Sequence, residues 1–213
     1  MLILTKIQQA KYIDDMYDNE YLYFTSLKNL RNVDSDHTGR FDPKELNMSN
    51  IQLKTLTLKP ENGKEILLHK FMGFNAQLME SISDPKINCC SLHRMQIEPG
   101  KPPSTFNENL WNLGDKAILI YDWVKFFKIL DKSILKQGLQ FSRNKVTYYD
   151  PKNFDGNISL HHKDHKYSWQ NEYRILISPT DNQPIKVQIP GLKKISWVIE
   201  SIFLDIIRIE INN

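Results

Sequence analysis

Trp169-Gln170-Asn171-Glu172-Tyr173-Arg174-Ile175-Leu176-Ile177 joins a polar start to an apolar run of strand-forming residues. Read as a strand, it alternates. Gln170, Glu172, Arg174 and Leu176 fall on one face, and Asn171, Tyr173, Ile175 and Ile177 on the other. A run this apolar belongs inside a sheet, where a carboxylate is rare unless paired. The alternation therefore aims an amide and a carboxylate together from one face of a core strand into a cleft. The competing reading is a salt-bridged edge strand, with Glu172 held by Arg174 or a lysine.

Working outward, short strands dominate. Lys11 to Tyr17 reads as a helix leading into the strand Glu20 to Thr25, and Ser26 to Arg31 reads as one helical turn capped by Ser26 or Thr25. Asn32 to Pro43 is polar and turn-rich, so a functional loop is expected there. Ile51 to Leu58 alternates as one strand, and after the turn Pro60-Glu61-Asn62-Gly63 a hairpin partner is expected at Ile66 to Met72. Further strands are expected at Ile87 to Leu92, Ala117 to Tyr121, Val146 to Tyr149 and Ile185 to Ile189, with a closing strand around Ile206 to Ile211. Pro99 to Thr105 reads as a loop. The clearest helix is Asp122 to Gln137, between an Asp122 cap and a Gly138 stop. Trp123, Phe126, Phe127, Leu130, Ile134 and Leu135 form its apolar stripe. Many strands, few helices and no regular βαβ alternation predict an α+β fold, with mixed or antiparallel twisted sheets and flanking helices.

Composition sets limits on function. The chain has 213 residues, 40% hydrophobic and 25% charged, and 1–213 is read as a single domain. No apolar run reaches the roughly 18 residues of a membrane-crossing helix. The start, Met1-Leu2-Ile3-Leu4-Thr5-Lys6, is charged too soon for a signal peptide. Cys89 and Cys90 are adjacent and cannot build a disulfide framework, so a cytoplasmic home is expected. A net charge of +3 neither demands nor excludes a nucleic-acid partner. No G-x-G-x-x-G and no P-loop is present.

Two clusters invite chemistry. His161, His162 and His165 suggest a metal if a helix put His161 and His165 on one face, but Lys163 and Lys166 crowd them and favour a solvated polar loop. Cys89 and Cys90 with His93 suggest a thiol nucleophile, but the apolar flanks Ile87 and Leu92 favour inert core thiols.

Tyr21-Leu22-Tyr23-Phe24-Thr25-Ser26-Leu27-Lys28-Asn29-Leu30 resembles the opening strand and turn of DarT-like ADP-ribosyltransferases, and Gln170 with Glu172 resembles the Gln-x-Glu signature that many ADP-ribosyltransferases carry on a late strand. Over nearly the whole length the chain is also similar to a bacterial family of unknown function. That family pairs an early Leu-Tyr-Phe-Ser-Ser strand, here Leu22 to Ser26, with a late Lys … Trp-x-x-Glu-x-Glu-x-Arg strand, here Lys163 or Lys166 through Trp169 and Glu172 to Arg174. The histidine that many ADP-ribosyltransferases carry in the first strand is missing. The resemblance implies an ADP-ribosyltransferase-like fold with NAD as co-substrate. It also implies an acceptor that is RNA, DNA or protein, a toxin or phage-defence role and an accompanying antitoxin. Glu172 would stabilise the charged ribose, Gln170 would orient the acceptor, Tyr23 and Thr25 would contact the nicotinamide riboside, and Arg40 would bind the phosphates during catalysis. Two other classes compete. One is a non-catalytic nucleic-acid-binding module using Lys186, Lys193, Lys194 and Arg208. The other is a metal-dependent nuclease built on acidic residues near Lys163.

Overall fold

The structure, a computed structural model, describes residues 1–32, 42, 44–61, 63–70, 76–103 and 106–207. It is an α+β arrangement of mostly antiparallel sheets with few helices. In chain order the elements are β1 (Leu2–Gln8), α1 (Ala10–Asp18), β2 (Tyr21–Ser26), α2 (Leu27–Asn32), β3 (Asn47–Gln52), β4 (Thr55–Leu58), β5 (Ile66–Lys70), β6 (Gln77–Ser81) and β7 (Asn88–Gln96). They continue with β8 (Lys116–Ile120), α3 (Trp123–Lys136), β9 (Gln140–Lys145), β10 (Thr147–Tyr149), β11 (Gly156–Asn157), β12 (His162–Asp164), β13 (Glu172–Ser178), β14 (Ile185–Gln188) and β15 (Ser196–Glu200).

An eight-stranded sheet organises the molecule, and β7 is its hub. One edge of β7 pairs with β13 from Glu172↔His93 to Ile177↔Asn88. Its other edge is shared. β2 holds Asn88 and Cys89, and β1 holds His93 to Gln96. Between these two ladders the sheet forks, and among the described residues Cys90, Ser91 and Leu92 lack a strand partner on that edge. Lys6 fills part of the gap by donating from Nζ to the Ser91 carbonyl at 3.1 Å. This satisfies an acceptor that a ladder would otherwise use.

The two faces of the sheet differ. Leu22, Phe24, Cys90, Leu92, Ile175 and Ile177 form one face and pack under Ile13 and Met16 of α1 and Phe126, Phe127, Leu130 and Ile134 of α3. The helix α3 forms where its caps and period place it. Asp122 accepts from the Lys125 amide at 3.0 Å, and Gly138 takes φ 74° after its end. Trp123 and Leu135 depart from the expected stripe; they lie at its margins and are exposed. On the opposite face, two smaller apolar clusters flank a polar centre. One holds Ile3, Ile7, Met95, Leu110 and Leu113; the other holds Leu27, Leu46, Cys89 and Leu176.

Several expectations need correction. Ile51 to Leu58 is two strands, because β3 pairs with β6 and β11 while β4 pairs with β5. The strand begun at Ile87 runs on to Gln96 as β7. The polar strand β9 went unrecognised because its stability comes from pairing with β13 rather than from an apolar pattern. Ile195 to Ile206 forms β15 and a 3-10 helix, Ser201–Ile206; Ile209 and Ile211 lie outside the described residues. Most of the Asn32 to Pro43 loop lies outside them as well. No helix among the described residues is long and apolar enough to cross a membrane.

Candidate active site

A cleft of about 600 Å³ opens at the fork of the sheet. Strand β1 contributes Lys6 and Gln8 to its wall, and β2 contributes Tyr21, Tyr23 and Thr25. Its floor comes from Ser91 and His93 of β7, with Lys163, Gln170 and Glu172. Four of the expected site residues, Tyr23, Thr25, Gln170 and Glu172, therefore line one cavity. The fifth, Arg40, lies outside the described residues.

Strand β13 delivers Glu172 as the alternation requires, because Glu172, Arg174 and Leu176 share the face opposite Ile175 and Ile177. The amide arrives by another route. Gln170 is not part of the strand; it ends a 3-10 helix, His165–Gln170, and Asn171 follows in the left-handed region at φ 40°. The two-residue strand spacing therefore does not hold between 170 and 172. A shared cation brings the pair together, since Lys163 Nζ donates to Gln170 Oε1 at 2.9 Å and to Glu172 Oε2 at 3.1 Å.

Glu172 is 1% exposed, and its paired character agrees with the ion-pair reading. The strand is nevertheless interior, held by β7 on one edge and β9 on the other. Glu172 Oε1 accepts from Ser91 Oγ at 2.5 Å and from Arg174 Nε at 2.8 Å. Arg174 also binds Glu45 through Nη2 and the Leu160 carbonyl through Nη1 at 2.5 Å. Two carboxylates and two cations thus form one buried, formally neutral chain, Glu45–Arg174–Glu172–Lys163. Burial opposes the charge on Glu172, but Arg174 and Lys163 outweigh it and hold the carboxyl well below its ordinary range. Burial likewise opposes the charge on Lys163, and Glu172 and Glu45 outweigh it, so the ammonium is held more firmly than usual. The Tyr148 hydroxyl accepts from the Glu172 amide at 2.9 Å, fixing the start of the strand.

A carboxylate has about four acceptor positions. Among the described residues Glu172 uses three, two on Oε1 and one on Oε2. A ligand hydroxyl reaching the floor can take the fourth.

No family model, no curated protein and no solved structure matches this chain.

The remaining expectations separate cleanly. His161, His162 and His165 do not share a helix face, because β12 and the 3-10 helix divide them. His161 Nε2 pairs with Ser142 Oγ at 2.7 Å and His162 Nδ1 with Ser159 Oγ at 2.8 Å. Among the described residues no group of three or more His, Cys, Asp or Glu side chains is placed to hold a metal ion. Asp164 caps the 3-10 helix by accepting from the Lys166 amide at 3.1 Å. Cys89 and Cys90 are buried, and burial pushes the Cys89 thiol up to about 12, so it is a poor nucleophile. Lys186 and Lys193 are engaged with Asp15 and Asp18. Arg208 lies outside the described residues. Glu45, Ser91 and Tyr148 were not singled out as site residues in the sequence. Only their cross-strand and cross-loop partners reveal their place at Glu172.

Proposed function

We propose that the chain is an NAD-dependent ADP-ribosyltransferase, of toxin or phage-defence type, acting in the cytoplasm on RNA, DNA or protein and restrained by an antitoxin. The observation that carries this reading is the meeting of Tyr23, Thr25, Gln170 and Glu172 on one cleft, although about 145 residues separate the two motifs. The cleft volume is in the range of cofactor sites, roughly 300–1,000 Å³.

Breaking the bond between ribose and nicotinamide builds positive charge on the sugar. A carboxylate held ionised well below its ordinary range, opposite that sugar, stabilises the charge, and its remaining acceptor position suits a ribose hydroxyl. Tyr23 is 41% exposed on the cleft wall and offers a ring face to a base or nicotinamide. Thr25 offers a hydroxyl. Lys6 supplies a cation on the cleft wall, in addition to the role expected of Arg40. Gln170 keeps its amide beside Glu172, where it orients an incoming nucleophile.

The test is incubation with labelled NAD and separate pools of RNA, DNA and protein. Wild type transfers label to one pool. Glu172→Gln is expected to transfer about a hundred- to a thousandfold more slowly. Tyr23→Ala and Thr25→Val leave the buried ion pairs intact and lower transfer without unfolding the chain. Salt-sensitive nucleic-acid binding without NAD turnover would favour the binding module, and activity lost to a chelator would favour the nuclease.

A further inference from the structure

His93 stands directly across from Glu172 as its register partner on β7. It is 7% exposed and lines the cleft. Its Nδ1 lies 2.8 Å from the Gln170 carbonyl oxygen. A carbonyl only accepts, so Nδ1 carries the ring proton and Nε2 presents a lone pair. Nε2 makes no hydrogen bond among the described residues. The charged groups facing the ring are Lys6 from β1, Glu172 from β13 and Lys163 from β12. Burial outweighs them and brings the imidazole down to about 4, so the ring is neutral at ordinary pH.

Among the other floor groups, the open acceptor position of Glu172 is assigned to the ribose hydroxyl, which leaves the His93 Nε2 lone pair for the attacking group. Glu172 is held ionised by two cations, Lys163 keeps its proton, and burial keeps the Cys89 thiol protonated. We propose that His93 is a further catalytic residue of this cleft, whose Nε2 takes the proton from the O–H or N–H group that attacks the ribose.

This role rests on the transferase reading. The bond from ribose C1′ to the nicotinamide nitrogen breaks, and its electron pair leaves with neutral nicotinamide. A lone pair of the attacking atom forms the new bond to C1′. The proton that atom sheds passes to His93 Nε2 and then to solvent, while Glu172 remains an anion throughout. The Gln170 carbonyl fixes the tautomer, so the residue that orients the acceptor with its side chain also aims the base with its backbone.

The test compares label transfer by wild type, His93→Gln and His93→Ala, using the pool that wild type modifies. The expected result is NAD affinity within about threefold of wild type, kcat lower by about a hundredfold or more, and partial recovery of His93→Ala on adding free imidazole. His93→Gln keeps an amide donor for the Gln170 carbonyl and separates folding from catalysis. In wild type alone, kcat/KM shows an acid limb with its midpoint near 4. A folded His93→Gln with kcat within threefold of wild type would overturn the role, as would a wild-type profile without that limb. A wild type that neither binds NAD nor transfers label overturns the transferase reading itself.

Discussion

At the residue scale, the polar floor is held by charges that cannot be altered singly at low cost. Removing Lys163 leaves the 1%-exposed Glu172 with less compensation, and breaking one partner of a buried pair typically costs about 3–5 kcal/mol. Lys163→Met is therefore expected to destabilise the chain by about 3 kcal/mol in urea melts. The double variant Lys163→Met with Glu172→Gln should cost less than the sum of the two singles, because each removes the other's stranded charge. His93 sets a pH dependence of its own. Its folded-state pKa, about 4, lies below its ordinary 6.5. The unfolded chain therefore binds the extra proton first, and stability falls as pH drops through that window. Between about pH 7.5 and pH 5 the loss is about 2 kcal/mol, and His93→Gln removes that slope. Glu172 acts at lower pH, since its stabilisation is present above the ordinary carboxylate range and is lost well below it. From the sequence, Glu172 pairs with an amide on its own strand face or is held by Arg174 or an unspecified lysine; that this lysine is Lys163, and that it also holds Gln170, comes only from the fold. That lysine sits in a histidine-rich run whose local pattern reads as solvated, and only the fold buries it to 3% exposure.

At the element scale, local chemistry was legible where it decides the structure. The α3 helix was readable because an aspartate cap, a period near 3.6 and a terminal glycine agree. Asp122→Ala is expected to lower stability by about 1 kcal/mol in a thermal melt. The failures share one cause. Strand β9, Gln-Phe-Ser-Arg-Asn-Lys, has little apolar alternation and exists because β13 offers it an edge. The break between β3 and β4 likewise reflects two different partners. A tight contact that no periodicity reveals lies at Gly114, at φ 152°, where an added Cβ would sit 2.1 Å from the Gln8 carbonyl carbon. Gly114→Ala is expected to cost about 2 kcal/mol or more and to disturb the β1 wall of the cleft, read as a lower melting temperature with weaker ligand binding.

At the scale of the whole molecule, the cleft follows from the fork. Because β1 and β2 share one edge of β7 and then diverge, the sheet opens a cavity at its own centre instead of at a rim loop. One face is sealed by α1 and α3, which leaves the other face free to carry polar groups between two small apolar clusters. The α+β class was readable from the sequence, but this topology was not, because the strand order joins segments as far apart as Tyr21 and Gln188. The proposed activity rests on NAD binding in the cleft at the fork, which calorimetric titration of NAD into wild type and Tyr23→Ala measures. Saturable heat is expected in wild type and at least about tenfold weaker binding in Tyr23→Ala, with the fold of the variant unchanged. No heat in wild type, or equal affinity in the two proteins, would contradict it.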